Sequence, residues 1–205
     1  MYRDGKIYDE IDKVIIDIYM DYNIISFPIN EEEVCKKMGV SLVPYSCFSE
    51  NGIGLLHKKS EYGFFVKESN EQPPTIYYND SIVSSGAKRF TIFHELKHYV
   101  YNDKNDDDDD LADYFARHLM CPTAYIMNQF IDTPTDIELF CGLSVEASIY
   151  AFQEIKNRRE KYKMALFDYE VPLINHLDPT ILKDANVEII ETAENGKEVM
   201  TYDCE

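Results

Sequence analysis

The stretch FTIFHELKHYVY, residues 90–101, sets two histidines four positions apart, with a glutamate directly after the first. On an α-helix four residues turn through about 400°, so His94 and His98 lie on one face, one turn apart, where two imidazoles can meet one metal ion. Glu95 sits about 100° further round the helix. It can touch a metal-bound water without being a ligand, which is where a general base belongs. Zinc lowers the pKa of such a water to roughly 7, within reach of a carboxylate. The bland alternative is an exposed polar helix that spells the same five letters. Its neighbours oppose that: Phe90, Ile92, Phe93, Leu96, Tyr99, Val100 and Tyr101 make the helix apolar nearly all round. Such a helix should be largely buried, and polar groups on it need partners. A metal ion serves both histidines together.

Zinc in a catalytic site wants a third protein ligand and one open position. The next helical segment, DLADYFARHLM at 110–120, follows a run of aspartates from Asp106 to Asp110. Most of that run is expected to be solvated charge in the acidic connector NDKNDDDDD or at a helix N-terminus. One member differs. Asp109, Ala112, Asp113 and Ala116 share a helix face at three- and four-residue spacings, and two alanines let that face pack closely on the histidine helix. Asp109 then points at the metal, with Asp110 the alternative ligand, and Asp113 one turn later stands behind the ligands as their partner. Phe115 and Leu119 fill the neighbouring apolar stripe.

Working outward, residues 8–23 read as a helix with Ile11, Val14, Ile15, Ile18 and Tyr22 on one face. Pro28 breaks the chain, Asn30 caps a short helix EEEVCKKM, and Gly39 stops it. Residues 40–46 read as a strand, residues 52–67 as two strands joined by a polar turn around Lys58–Glu61, and residues 75–79 as a further strand. Short helices are expected at about 123–131, 134–141 and 144–163. Beyond them MALFDYEV and NVEIIET read as strands, LDPTILKDA as a turn with one helical turn, and the last ten residues as mobile. The helices at 134–158, with the turn CGLSVEAS, superficially match a helix-turn-helix. However, Lys156, Arg158, Arg159 and Lys161 come late in the second helix rather than at its start, so packing is the expected role.

The 205-residue chain carries a net charge of −18, with 45% hydrophobic and 28% charged residues. That composition is globular, and the length fits one domain with an appended segment. So acidic a chain is repelled by nucleic acid, so direct nucleic-acid binding is not expected, and a protein partner fits better. No apolar run approaches the roughly 18 residues of a transmembrane helix, and the charged N-terminus MYRDGKIYDEIDK lacks the apolar core of a secretory signal. Five widely spaced cysteines (Cys35, Cys47, Cys121, Cys141 and Cys204) fit reduced thiols behaving as small buried hydrophobes in the cytoplasm.

Together, KRFTIFHELKH at 88–98 and DDLADYFARHLMCP at 109–122 resemble the ImmA/IrrE family of bacterial zinc metallopeptidases. In that family HExxH is followed by a second helix reading roughly E-x-x-A-N-x-F-A-x-x-L-L-M-P. Ala112, Phe115, Ala116, Leu119 and Pro122 fall on the matching positions. The likeness is specific over 86–122 and weaker in GVSLV at 39–43 and in IELFCGLSVEASIYAFQEIKNR at 137–158. Residues 166–205 show none. The chain departs from the pattern at Lys97, where the family has glycine. Asp109 replaces the third-ligand glutamate and is one methylene shorter, and Asp113 replaces an asparagine. The resemblance implies an α+β, zincin-like fold, with a small mixed or antiparallel sheet packed on the HExxH helix and a helical region after it. A single peptidase domain is expected over 1–165: N-terminal helices and sheet to 85, the zinc-binding helix pair over 86–122, and helices over 123–165. Residues 166–205 form an extension. The resemblance further implies one Zn2+ ion held by His94, His98 and Asp109 or Asp110, with Glu95 as base. The implied substrate is a protein, a helix-turn-helix repressor of a phage or mobile element. The alternative is a non-catalytic regulatory module, with or without zinc, that controls a repressor by binding it.

Overall fold

A computed structural model describes residues 5–102, 109–129, 131–183, 187–192 and 198–202. The chain is mixed α+β. Helix α1 (Gly5–Asp21) buries Ile11, Ile15, Ile16, Ile18 and Tyr19. The Tyr19 hydroxyl donates to the Leu119 carbonyl at 2.6 Å, which satisfies a polar tip that burial would otherwise penalise. Helix α2 (Glu31–Lys37) starts on Asn30, whose side chain accepts the Glu33 amide, and ends where Gly39 takes φ +77°, as the capping signals predict.

Strand β1 (Ser41–Pro44) leads into a 3-10 turn at Tyr45–Cys47, and here the structure corrects the expected hairpin of 52–67. Its first half is helix α3 (Glu50–Lys59), and only its second half is a strand, β2 (Gly63–Val66). The Ser49 side chain caps α3 by accepting the Gly52 amide, Glu50 sits in its first turn, and His57, Lys58 and Lys59 close it. Those end signals outweigh two internal glycines. Strand β3 (Thr75–Tyr78) then runs parallel to β1 and antiparallel to β2, giving the order β1–β3–β2.

Helix α4 (Ser85–Val100) carries the motif and α5 (Asp109–Met120) follows it. On α5 Ala112, Phe115, Ala116 and Leu119 are fully buried, and Phe115 meets Tyr101 edge-on at 6.5 Å, so the two-alanine face does bring the helices together. On α4, Ile92, Phe93 and Leu96 are buried and His98 is 7% exposed. Lys97, the family's glycine position, is also buried, its stem packed inward and its ammonium 5.7 Å from the Tyr101 ring. Gly86 at the start of α4 lies against the Leu143–Ser144 backbone, so close that a Cβ there would meet the Leu143 carbonyl carbon at 2.5 Å. Arg89 ties the same helix to Glu31 of α2 at 3.0 Å and to the Gly142 carbonyl at 2.8 Å.

The expected helices after Pro122 are present as α6 (Thr123–Ile126), α7 (Pro134–Cys141) and α8 (Val145–Tyr162), the first shorter than read. Two of the four late basic residues of α8 turn inward, Arg158 forking onto Glu170 and Arg159 donating to the Met127 carbonyl at 2.7 Å, while Lys156 and Lys161 are exposed. MALFDYEV supplies only the two-residue strand β4 (Leu166–Phe167), followed by a 3-10 turn at Asp168–Glu170 and an unanticipated helix α9 (Val171–Leu177). Pro172 in the first turn of α9 suits that position, where its missing N–H costs nothing. Strands β5 (Ile189–Thr192) and β6 (Glu198–Tyr202) complete a second sheet in the order β4–β5–β6, so half of the ten-residue tail expected to be mobile is a strand. Leu166, Leu173 and Ile174 join the same apolar core as α1, α4 and α5.

Cys35, Cys121 and Cys141 are buried as expected, whereas Cys47 is exposed and Cys204 lies outside the described residues. Residues 103–108 of the acidic connector also lie outside them, including Asp106, Asp107 and Asp108. Among the described residues no helix is long and apolar enough to cross a membrane.

Candidate metal centre

His94 and His98 share one face of α4, with ring centroids 5.5 Å apart. One nitrogen of each and one Asp109 carboxylate oxygen all lie within 4.8 Å of one another. Donors around tetrahedral zinc stand about 3.3 Å apart, so this trio closes on an ion by small side-chain rotations. Asp109 is free to make that adjustment: it opens α5 and its side chain is 73% exposed. Two imidazoles and a carboxylate are a set that suits zinc. Asp109 rather than Asp110 therefore completes the only such trio among the described residues.

Asp113 is where the helix spacing puts it. Its Oδ1 lies 2.8 Å from His94 Nδ1, while His94 Nε2 faces Asp109 Oδ1 at 3.9 Å. An ionised carboxylate only accepts, so Nδ1 carries the proton and Nε2 presents its lone pair to the metal position. Burial pushes the His94 pKa down, but the Asp113 hydrogen bond and the charges of Glu95, Asp113 and Asp109 outweigh it, and the net shift is upward.

Glu95 leaves the helix toward the sheet. Its Oε2 accepts the Phe65 backbone amide at 2.9 Å. Phe65 therefore points its N–H away from β3, and so does Gly63 two residues earlier, whose amide goes to Ser60 Oγ at 3.1 Å. β2 is thus an edge strand lying beside the motif. It runs in the same direction as α4: a Cβ on Gly63 would touch Thr91, Phe65 bonds Glu95, and Lys67 Nζ reaches the Asn102 carbonyl at 2.7 Å.

These groups line a single open cleft of about 1220 Å³. The α4 face from Ala87 to His98 forms its floor. One wall is β2 with the end of α3, and the other is the start of α5 with the first turns of α8, including Glu146 and Tyr150. No local pattern signals that α8 reaches the site, because the turn that brings it there depends on Gly86 and Arg89 on a distant helix.

The family model described as the IrrE N-terminal-like domain, peptidase M78, matches residues 35–153. The match runs from α2 into α8 and includes both histidines, Glu95, Asp109 and Asp113. No curated protein and no solved structure matches the chain.

Proposed function

The chain belongs to the IrrE N-terminal-like peptidase family, and on that premise we propose that it is a zinc-dependent endopeptidase acting on a protein substrate. The observation that carries this reading is the convergence of donor atoms from His94, His98 and Asp109 within 4.8 Å on the floor of a cleft that also holds Glu95. We read the architecture as zincin-like, with a mixed sheet beside the HExxH helix and the third ligand on the helix after it. Residues 1–165 form the peptidase unit and 166–205 an extension, from which Leu166, Leu173 and Ile174 enter the common core.

His94, His98 and Asp109 hold one zinc ion, which when bound acidifies a water and polarises the scissile carbonyl. Asp113 fixes the His94 ring and its tautomer. Glu95 accepts the proton of the attacking water and returns it to the leaving amine nitrogen. The Phe65 amide holds one oxygen of that carboxylate and so sets its plane. The outer edge of β2, whose Gly63 and Phe65 amides are already taken by Ser60 and Glu95, offers its outward carbonyls to an extended substrate chain.

The substrate we favour is a helix-turn-helix repressor of a phage or mobile element, met in the cytoplasm. The test is to load purified protein with zinc, measure the stoichiometry, and incubate it with the helix-turn-helix protein encoded beside it. Cleavage by wild type, and none by a Glu95→Gln variant that keeps its zinc, is expected. An intact repressor with zinc-loaded wild type sinks the repressor reading. Relief of repression that survives Glu95→Gln makes the protein a binding module instead.

A further inference from the structure

The two walls of the cleft differ in what they can read. The β2 wall offers main-chain groups, which hold any peptide and discriminate little, because side chains rather than backbone carry sequence information. The α8 wall offers side chains. Glu146 and Tyr150 line the cleft from the first two turns of α8, and Val145 and Ile149 flank them on the same outer surface. Three of these are apolar and mostly in solvent: Val145 is 60% exposed, Ile149 52% and Tyr150 61%. Elsewhere on α8 the apolar residues Ala147, Ala151 and Ile155 are buried, so the helix has apolar side chains on two faces but a core on only one. A second apolar surface that borders a cleft marks a binding site.

The charge of this wall is acidic. Asp110 and Glu146 line it, Arg117 is turned onto Glu154 at 3.4 Å, and the chain as a whole carries −18. A partner segment with a positive charge is the complementary one.

Direction follows from the strand. β2 runs with α4, from Gly63 beside Thr91 to Phe65 beside Glu95. Antiparallel pairing is the more stable of the two arrangements, so a substrate added to β2 runs from the Lys67 end toward the Gly63 end. Residues that follow the scissile bond then pass over Thr91, Phe90 and Ala87, toward Gly86, where the Leu143–Ser144 turn sets the start of α8 against α4.

We propose that the exposed face of α8, through Tyr150 and Glu146, is the specificity wall of this cleft, and that it selects a substrate segment with, just after the scissile bond, an apolar residue and, two positions later on the same face of the strand, a basic one. This rests on the peptidase reading above. Tyr150 gives an apolar ring for the first side chain to pack on, and Glu146 a carboxylate for the second.

The test is a library of natural peptides, prepared with a glutamate-specific protease so that lysines and arginines stay internal. It is digested by zinc-loaded protein, and the new N-termini are sequenced by mass spectrometry. Wild type should enrich apolar and basic residues in the first few positions after the cut. Glu146→Gln should lose the basic preference, and Tyr150→Ser the apolar one, each with full zinc content. On a matched peptide, Tyr150→Ser should raise KM about 10-fold with kcat little changed, the scale of one lost apolar contact. The basic preference should fade as salt is raised, since Glu146 is exposed. Leu139→Ser, exposed on α7 and outside the cleft, should keep the wild-type profile. Cleavage with a flat profile, enrichment only before the cut, or variants that retain the wild-type profile would overturn the specificity wall alone. No cleavage of any peptide or protein by zinc-loaded wild type overturns the peptidase reading and this inference with it.

Discussion

His94 is held from both ends of its ring. Asp113 takes Nδ1 at 2.8 Å and Asp109 stands 3.9 Å from Nε2, so one imidazole joins the residue that positions it to its partner in the candidate metal trio. The two aspartates differ by one helical turn, and this is why both were legible in the sequence: spacing along a helix is spacing in space. Removing them should have distinguishable effects. Asp113→Ala leaves three donors but frees the His94 ring, and zinc affinity measured against a competing chelator should fall about 10- to 100-fold. Asp113→Asn restores the family's residue and still accepts from Nδ1, so most of that affinity should remain. Asp109→Ala removes a donor outright and should lose the ion at chelator concentrations that Asp110→Ala withstands. If Asp110→Ala proves the more damaging, the third ligand is Asp110. Spacing favours Asp109, on the face of Ala112, Asp113 and Ala116, but leaves Asp110 open, because adjacent residues at a helix start differ only in the direction the first turn gives them.

At the scale of elements, the site depends on contacts that bring distant segments to α4. Gly86 is the tightest: a Cβ would sit 2.5 Å from both the carbon and the oxygen of the Leu143 carbonyl and 2.6 Å from the Ser144 nitrogen. All three are backbone atoms, which cannot rotate aside. Gly86→Ala should therefore push the α7–α8 turn off α4 and cost about 1–3 kcal/mol in a denaturant titration. Because Ser144 caps α8, the same change should disturb the α8 wall of the cleft while leaving zinc bound by α4 and α5. The helices that frame the site were readable because each has its own end signals and one apolar stripe. Helix α3 was not, since none of its residues is buried and its apolar run GIGLL imitates a strand. Its ends nevertheless carried the answer, in the Ser49 cap and the His57–Lys59 close. Local capping chemistry outweighed an ambiguous hydrophobic pattern. Helix α9 was missed for the opposite reason. Seven residues are too few for a period to show, and its form comes from burying Leu173 and Ile174 in the common core.

The molecule as a whole is fastened by a second polar centre, on the side of α5 that faces α1 and α8. His118 is 6% exposed, with Nδ1 2.9 Å from Asp12 of α1 and Nε2 2.7 Å from Glu154 of α8. Both ring nitrogens face carboxylates, so both donate and the ring is an imidazolium. Tyr114 stacks on it at 3.7 Å and donates its own hydroxyl to Asp12. Nothing in the sequence pointed here, because the three charges come from three helices and no local spacing relates them. Burial alone would drive the His118 proton off, but Glu154 and Asp12 reverse that and raise its pKa from 6.5 to about 10. Burial likewise opposes ionised Glu154, and the His118 and Arg117 charges overcome it, lowering its pKa from 4.5 to about 2. A raised histidine pKa contributes stability that is complete below the unfolded value of 6.5 and is lost as pH rises through about 10. A lowered glutamate pKa contributes stability that is complete above 4.5 and is lost as pH falls toward about 2. The melting temperature of the protein should therefore be highest between pH 4.5 and 6.5, with an alkaline decline that continues to about pH 10. His118→Ala leaves Asp12 and Glu154 facing each other without their cation and should cost about 3 kcal/mol, the low end for a broken buried pair, since Glu154 keeps 34% of its surface in solvent. That variant should also flatten the alkaline decline, and melting curves recorded across pH on both proteins check it. A wild-type alkaline slope that persists in His118→Ala would assign the decline to other groups.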